Sequence, residues 1–346
     1  MKPPDEPLAP GTTLGPGYVI TRRLGGGAMG SVYEAHRNYG DGTPVAVKVL
    51  QAPAKPTTPA SEADERRARF LREAAVSATI QHPNVVPVLD HGIDAARSLP
   101  YLVMPLLQGE DLAALLDRVG CLPPEVAIAI VVQASEGLAA AHARGVVHRD
   151  VKPSNLFLER RGDSPFVVVR VTDFGLAKAL DASPGSAEGK GALTATGRFM
   201  GTPQYVSPEQ AISAKHVDLR TDVYSLAMSL YHALSGRPAF AHVRSFMGLV
   251  LELTAREAPH LQDAAPWVSP AVTRIVHGAL LRDPQARCPS ASELALALDM
   301  AVGIDTSRRP ITPEALVAHA TLEAGVRRTP SQRAPLAASW EDLLRF

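Results

Sequence analysis

Several short stretches of this chain set carboxylate, ammonium and amide side chains where an anion and a hard cation could be held together. The densest is Val147-His148-Arg149-Asp150-Val151-Lys152-Pro153-Ser154-Asn155, which puts Asp150, Lys152 and Asn155 in one short loop. Apolar runs border it on both sides, Gly145-Val146-Val147 and Leu156-Phe157-Leu158. Polar groups held between such runs usually have a specific task. Downstream, Val171-Thr172-Asp173-Phe174-Gly175 ends a strand-like run with an acid. That acid is either an ordinary turn residue or a Mg²⁺ ligand, since hard cations prefer carboxylate oxygen. Upstream, Val45-Ala46-Val47-Lys48 sets a lysine in an apolar strand, where the ammonium must reach water or an anion. Glu73, in the helix expected next, is a suitable anion.

A further motif is Gly25-Gly26-Gly27-Ala28-Met29-Gly30-Ser31-Val32, with Gly25, Gly27 and Gly30 in G-x-G-x-x-G spacing. Lacking Cβ atoms, such a backbone can approach phosphate oxygens closely. By itself the spacing fits a Gly-rich hairpin turn equally well. A dinucleotide-binding loop requires a helix directly afterwards, but the β-prone run Val32-Tyr33-Glu34-Ala35 follows. A P-loop would end in Gly-Lys-Ser or Gly-Lys-Thr. The remaining reading is a flap between antiparallel strands.

These residues need elements to position them. Residues 1–17 are rich in Pro and Gly and read as a flexible tail. Tyr18-Val19-Ile20, Ser31–Ala35 and Val45–Leu50 read as strands separated by turns. After a Pro/Ala/Thr-rich stretch at 52–60, a charged helix is predicted from about Ser61 to Ile80, with Phe70, Glu73 and Ser77 on one face. Val85–Leu89 and Tyr101–Leu107 read as further strands. Beyond Gln108 the pattern turns helical: Val126–Ala143, closed by Gly145, then helices near 220–235, 245–254, 270–281 and 291–300. The end of the chain, Trp340–Phe346, reads as one or two amphipathic turns, and the tail 303–346 is expected either to dock on the large lobe through Trp340 and Leu344, to recruit a partner or to be disordered. The predicted class is α+β: a small β-rich lobe with one main helix, then a larger, mainly α-helical lobe. The expected boundaries are 1–17 for the tail, 18–107 for the small lobe, 108–300 for the large lobe and 301–346 for a C-terminal tail.

Composition narrows the function classes. The 346 residues exceed what one hydrophobic core usually serves. Lys+Arg and Asp+Glu both total 35, so no global charge draws the chain to nucleic acid or an anionic membrane. Cys121 and Cys288 lie far apart without metal-ligand spacing and read as thiols in a reducing compartment. No membrane span is expected: the longest apolar run, Val126–Leu138, is short and holds Gln133 and Glu136. Met1–Pro10 lacks the apolar region of a secretory signal, and no membrane helix or sensor domain is recognised after the large lobe. The expected location is the cytoplasm.

Taken in order, Gly25–Val32, Lys48, Glu73, His148–Asn155, Asp173–Gly175 and Ser207-Pro208-Glu209 resemble the protein-kinase signature set. The chain is similar to eukaryotic-like serine/threonine protein kinases from about residue 18 to 300. Gly201–Gln210 looks most like the bacterial branch of that family. The resemblance implies a bilobal protein-kinase-like fold, ATP and Mg²⁺ as cofactors, and protein substrates with Ser or Thr acceptors. It implies that the Gly25–Gly30 loop, with Leu24, covers the ATP phosphates, and that Lys48 binds the α- and β-phosphates and pairs with Glu73. Asp150 would orient the acceptor hydroxyl and take its proton, Lys152 would neutralise γ-phosphate charge, and Asn155 and Asp173 would hold Mg²⁺. Val32 and Ala46 would cover the adenine, Leu156 would lie beneath it and Met104 behind it. Pro105 and Leu107 would bond its edge, and Asp111 the ribose. Pro105 departs from the family's usual acid but keeps its carbonyl.

The same resemblance makes Glu209 and Arg287 a buried ion pair, Asp222 an anchor of the catalytic loop, and Thr202 a partner of Asp150 and Lys152. Lys152, two residues after Asp150, is the serine/threonine pattern. Arg149 before Asp150 implies an activation-loop phosphate, expected at one or both of Thr194 and Thr196 through autophosphorylation, with transient homodimers suited to it. A pseudokinase scaffold would lack a catalytic group, yet Lys48, Glu73, Asp150, Asn155 and Asp173 are all present. A small-molecule phosphotransferase normally lacks a segment like Gly201–Glu209.

Overall fold

Val45, Val47 and Val49 alternate with Ala46, Lys48 and Leu50, so an extended chain here offers one face made wholly of valine. In the computed structural model that face is a core. The model describes residues 7–27, 30–38, 40, 42–50, 60–162, 164–174, 203–212, 217–303, 311–316 and 333–343. Among them the chain divides into two compact units: one holds the described residues up to His82 with Val86–Leu107, the other Pro83–Val85, Gln108–Phe174 and the described residues from Pro203 onward.

The first unit is a six-stranded antiparallel sheet in the order β1-β2-β3-β4-β6-β5. Its strands are β1 (Thr13–Leu14), β2 (Tyr18–Gly27), β3 (Gly30–Arg37), β4 (Pro44–Leu50), β5 (Asp90–Asp94) and β6 (Leu99–Pro105), with helix α1 (Ala60–Ala78) between β4 and β5. Leu14, Tyr18, Ile20, Tyr33, Ala35, Val45, Val47, Val49, Tyr101 and Val103 form one cluster on one face. On the other, Leu50 and Leu102 pack against Phe70 and Ala74 of α1. The stretch before Tyr18, expected as flexible tail, carries β1, and Leu14 is fully buried. It is held by Leu14, by Leu8 packed against the same cluster, by backbone bonds of Gly11 and Thr12 with Ile20, and by the Gly15 N–H on Asp94 Oδ2 at 3.0 Å. The strand expected at Val85–Leu89 is displaced to β5. Val85 makes only an isolated bridge to Val171, and pairing with β6 begins at Asp90. Pro87 cannot donate a ladder hydrogen bond, which is why the strand starts after it.

The second unit is mainly helical: α2 (Leu112–Val119), α3 (Pro124–His142), α4 (Pro208–Ile212), α5 (Arg220–Ser235), α6 (Phe246–Ala255), α7 (Leu261–Ala264), α8 (Pro270–Ala279), α9 (Ala291–Val302) and α10 (Trp340–Leu343). A small sheet, β7 (Gly109–Asp111), β8 (Leu156–Arg160) and β9 (Val167–Val171), completes it. The helices near 220–235, 245–254, 270–281 and 291–300 fall where the pattern predicts. α2 was not anticipated, although Asp111 caps it: its Oδ1 accepts the Ala114 N–H at 2.9 Å.

Helix α3 corrects one sequence expectation. Extended by Pro124–Glu125 and Ala139–His142, it is 19 residues long, and an 18-residue stretch of it has a mean hydropathy of 1.3, enough by length and composition to cross a membrane. Two-thirds of that stretch is buried within the protein, against β9, α5 and α9. Gln133 explains its fit. Its Oε1 accepts the Val169 N–H at 2.9 Å and Asn84 Nδ2–H at 3.2 Å, and Asn84 also donates to the Val169 carbonyl at 2.9 Å. The polar residue that interrupts the apolar run therefore fastens β9, the strand leading to Asp173. Gln133→Met keeps the volume but strands two buried donors. It should cost roughly 2–5 kcal/mol in urea unfolding, and an unchanged stability would contradict this role.

Candidate active site

In the second unit, the loop 148–155 is built around a carboxylate it does not contain. Asp222, at the start of α5, is fully buried. Its Oδ2 accepts the His148 backbone N–H at 2.7 Å and its Oδ1 the Arg149 backbone N–H at 2.7 Å. The His142 Nε2–H, at the end of α3, donates to Oδ2 at 2.8 Å. A buried charge of this kind is tolerable only when its lone pairs are filled. The expected anchor is thus present, and His142 is an addition the sequence did not flag. Under this clamp Arg149 adopts φ +62°, an uncommon conformation for a residue with a Cβ. Its carbonyl is taken by Gln210 Nε2–H at 2.9 Å.

The bend sets the three groups singled out in the sequence side by side, with Asp150 and Lys152 half-buried and Asn155 buried. Lys152 Nζ donates to Asp150 Oδ2 at 2.8 Å. Asn155 Nδ2–H donates to the Asp150 carbonyl at 2.7 Å and to its Oδ2 at 3.2 Å. The amide nitrogen of Asn155 is thereby committed, which leaves Oδ1 as the atom with affinity for a hard cation. The second acid is tied in through backbone. The Thr172 N–H donates to the Asn155 carbonyl at 3.0 Å, and His148 Nε2–H donates to the Thr172 carbonyl at 2.7 Å. His148 Nδ1 accepts the Asp150 N–H at 3.2 Å, so the ring proton sits on Nε2. The His148 and Phe174 rings pack at 4.7 Å between centroids. Asp173, between Thr172 and Phe174, has φ +61°. Strained backbone on both sides of a polar cluster is a mark of functional sites. Leu156 is fully buried at the start of β8. Among the described residues no three His, Cys, Asp or Glu side chains gather to hold a metal. Asn155 and Asp173 could therefore hold Mg²⁺ only with further oxygens from a ligand such as a polyphosphate.

Close to this loop lies Pro203–Glu209, braced from behind. Thr221 Oγ1–H donates to Glu209 Oε1 at 2.7 Å, and Ser207 Oγ lies 3.1 Å from Thr221 Oγ1. Arg287 forks onto Glu209 at 2.8 and 3.0 Å and gives its remaining donors to the carbonyls of Arg220, Leu281 and Arg282. Its guanidinium lies 4.9 Å from the Tyr224 ring centroid. The expected ion pair is formed, with every donor satisfied. Tyr205 is held by His232 Nδ1 at 2.8 Å, a contact no sequence motif announces. Thr194, Thr196, Gly201 and Thr202, singled out in the sequence, lie outside the described residues, as do Ala28, Met29 and Gly175.

In the first unit, register decides which side chains share a face. Val32 pairs with Lys48 and Lys48 with Leu102; Glu34 pairs with Ala46 and Ala46 with Met104. Val32, Ala46, Lys48, Leu102 and Met104 therefore lie on one side of the sheet, opposite the valine core and on the side that carries α1. Lys48 is buried there. Glu73 is exposed on α1, whose inward face is Phe70, Ala74 and Ser77. Met104, Pro105 and Leu107 are half-buried where the first unit ends. Leu24 sits at a bulge in β2 and is exposed. Gly27 pairs with Gly30 at the tip of the β2–β3 hairpin, so the glycine motif is a flap, as expected. Gly30 has φ +140°, and a Cβ there would meet the Val49 carbonyl oxygen at 2.2 Å. At Gly25 a Cβ would meet nothing within 4 Å, so neither backbone nor packing demands glycine at that position.

This constellation has known counterparts. The protein kinase domain model matches residues 18–296, and the chain belongs to that family. It is 35% identical to the serine/threonine-protein kinase PknA of Mycobacterium tuberculosis over 306 residues, 88% of this chain and 64% of that protein. It is 37% identical to the serine/threonine-protein kinase Pkn1 of Myxococcus xanthus over 305 residues, 86% of this chain and 40% of that protein. The chain thus spans less than two-thirds of these relatives. The solved kinase domain of Mycobacterium tuberculosis PknI is similar with a TM-score of 0.63 and 30% identity, covering 85% of this chain and 100% of that one.

Burial alone would raise the Glu209 pKa, but the hydrogen bonds and charge of Arg287, with the Thr221 hydroxyl, outweigh it and hold the carboxyl below its usual range. A depressed carboxylate adds stability that is complete above its unfolded value and is lost as pH falls through the folded one. Glu209→Gln should therefore weaken the fold by about 3–5 kcal/mol at pH 7, because Arg287 is left buried without a counter-charge. Its deficit against the native protein should shrink as urea titrations move below about pH 4. A pH-independent deficit would contradict the assignment.

Proposed function

We propose that this protein is an active serine/threonine protein kinase that transfers the γ-phosphoryl group of Mg-ATP to a protein hydroxyl. One observation carries the reading: Asp150 Oδ2 gathers Lys152 Nζ at 2.8 Å and Asn155 Nδ2 at 3.2 Å on a loop whose backbone is clamped by Asp222. Phosphoryl transfer proceeds through a loose transition state, so an enzyme contributes mainly position and charge. In this reading Asp150 accepts the hydrogen bond of the incoming hydroxyl, orients its oxygen and takes its proton. Lys152, already beside Asp150, offsets negative charge as the γ-phosphoryl group moves. Asn155 Oδ1 and the Asp173 carboxylate hold Mg²⁺, which when bound supplies positive charge to the phosphate oxygens.

The first unit supports the nucleotide side of the reading. Val32, Ala46 and Met104 offer an apolar surface for a base, with buried Lys48 on the same sheet face. The absent Cβ of Gly25, which no described neighbour requires, leaves clearance for phosphate oxygens. Pro105 and Leu107 follow as edge contacts for adenine, Asp111 for the ribose, and Leu156 as the floor. Asp111 Oδ1 already caps α2, so the ribose would fall to Oδ2.

Substrate class follows from Lys152 and from the braced segment 203–209, which suits an extended peptide. Autophosphorylation at Thr194 or Thr196, in a transient homodimer and drawing on Arg149, belongs to the same proposal. So does a cytoplasmic location, on the reading of both cysteines as thiols. With γ-labelled ATP and Mg²⁺, the native protein should label itself and a Ser/Thr peptide, and Asp150→Asn should lower the rate by about 100-fold or more. Label should appear at Thr194 or Thr196 in phosphopeptide maps. Equal labelling by the Asp150→Asn variant, or none by the native protein, would sink the kinase reading.

A further inference from the structure

The family match stops at residue 296, yet chain beyond it is built into the second unit. Ile311 lies against the start of β9, where the Val167 N–H donates to its carbonyl at 2.8 Å, and both Ile311 and Leu316 are buried. The segment Arg333–Leu343 is seated more deeply. Arg333 Nη2 meets Asp263 Oδ2 at 2.7 Å. The Ala334 N–H donates to Gln262 Oε1 at 3.0 Å, and its carbonyl accepts from His260 Nε2 at 3.0 Å. Six residues on, Trp340 is only 4% exposed. Its ring and the Leu343 side chain cover Gly278 of α8, where an added Cβ would stand 2.9 Å from Trp340 Cε3 and 3.1 Å from Leu343 Cδ1.

The backbone of Trp340 does something different. Its N–H donates to the Ala286 carbonyl at 2.7 Å. Ala286 directly precedes Arg287, and the same loop supplies the Leu281 and Arg282 carbonyls that hold the Arg287 guanidinium. The Cys288 N–H returns to the Gly278 carbonyl at 3.3 Å. One tryptophan thus presses on α8 with its ring and, through its backbone, pins the 281–288 loop one residue before Arg287.

We propose that Arg333–Leu343 is a positioning strap for substrate binding: docked, it fixes the 281–288 loop and, through the Arg287–Glu209 pair, the segment Pro203–Glu209. The proposal rests on the reading of that segment as the peptide-holding surface. The seat is suited to release. Burying the indole favours docking, but its Nε1–H is buried with no partner among the described residues, and ordering the strap costs chain entropy. The strap's bonds to His260, Gln262, Asp263 and Ala286 and its packing on Gly278 all fall on elements other than the 148–155 loop, so it acts on the peptide rather than on the chemistry.

Amide hydrogen exchange on the full chain without substrate, compared for the native protein, Trp340→Ala, Trp340→Phe and Gly278→Ala, tests the link. Trp340→Ala and Gly278→Ala should speed exchange about tenfold in the strap, in 281–288 and in 203–210, while α3 stays protected and Trp340→Phe remains near native. Gly278→Ala is informative even if Trp340→Ala fails to fold, because alanine favours a helix and injures only the seat of the indole. In kinetics the same variants should raise the peptide KM about fivefold and leave the ATP KM unchanged. The proposal is overturned if the strap exchanges freely while 281–288 and 203–210 keep native protection, or if peptide and ATP KM rise together. Because exchange needs no catalysis, an inert native protein would refute the kinase reading while the strap is still decided.

Discussion

The described site depends on a single buried carboxylate. Asp222 accepts consecutive backbone amides from His148 and Arg149, and that pairing dictates how the polar loop can leave α3 and where its side chains emerge. A loop of this composition would otherwise relax toward solvent, since its own side chains can satisfy one another in many ways. The clamp forces Arg149 into a left-handed conformation and so fixes the direction in which Asp150 points. From there order spreads by short steps. His148 grips the Thr172 carbonyl, Thr172 grips the Asn155 carbonyl, and Asp173 is left at a strained bend beside the cluster. No link is long, and most run through backbone, which has fewer alternative positions than side chains do.

The sheet unit works by a different constraint. Strand register sends alternate residues to opposite faces, so a core of valines on one side obliges Ala46 and Lys48 to share the other. A slip of one residue would bury Lys48 among the valines and expose the core. The same alternation that stabilises the sheet thus selects the residues offered to a ligand, and the hairpin tip with its glycines is carried along by the pairing of β2 with β3.

Much of this was legible in the sequence because the decisive groups are close in the chain. The Gly25–Gly30 spacing, the cluster from His148 to Asn155 and the Lys48 strand each announce themselves within ten residues. The failures are of one kind. Pairing with β6 begins at Asp90 rather than Val85, because Pro87 and a bridge to distant Val171 decide it. Gln133 looked like an interruption of an apolar run; its partners Asn84 and Val169 lie 49 and 36 residues away. Trp340 could be suspected of docking, but its partner is a glycine in α8, and an absent side chain leaves no hydrophobic signal to read. Glu209 and Arg287, 78 residues apart, were legible only through family resemblance.

In the proposed function the oxygens of Asn155 and Asp173 would hold Mg²⁺ and the ammonium of Lys48 would bind ATP. Calorimetric titration of ATP into the protein, with and without Mg²⁺, measures this without any turnover. The account predicts that Mg²⁺ tightens ATP binding in the native protein, that Asp173→Asn removes the Mg²⁺-dependent gain, and that Lys48→Met weakens binding whether or not Mg²⁺ is present. ATP affinity indifferent to Mg²⁺ in the native protein, or a full Mg²⁺ effect surviving in Asp173→Asn, would contradict it.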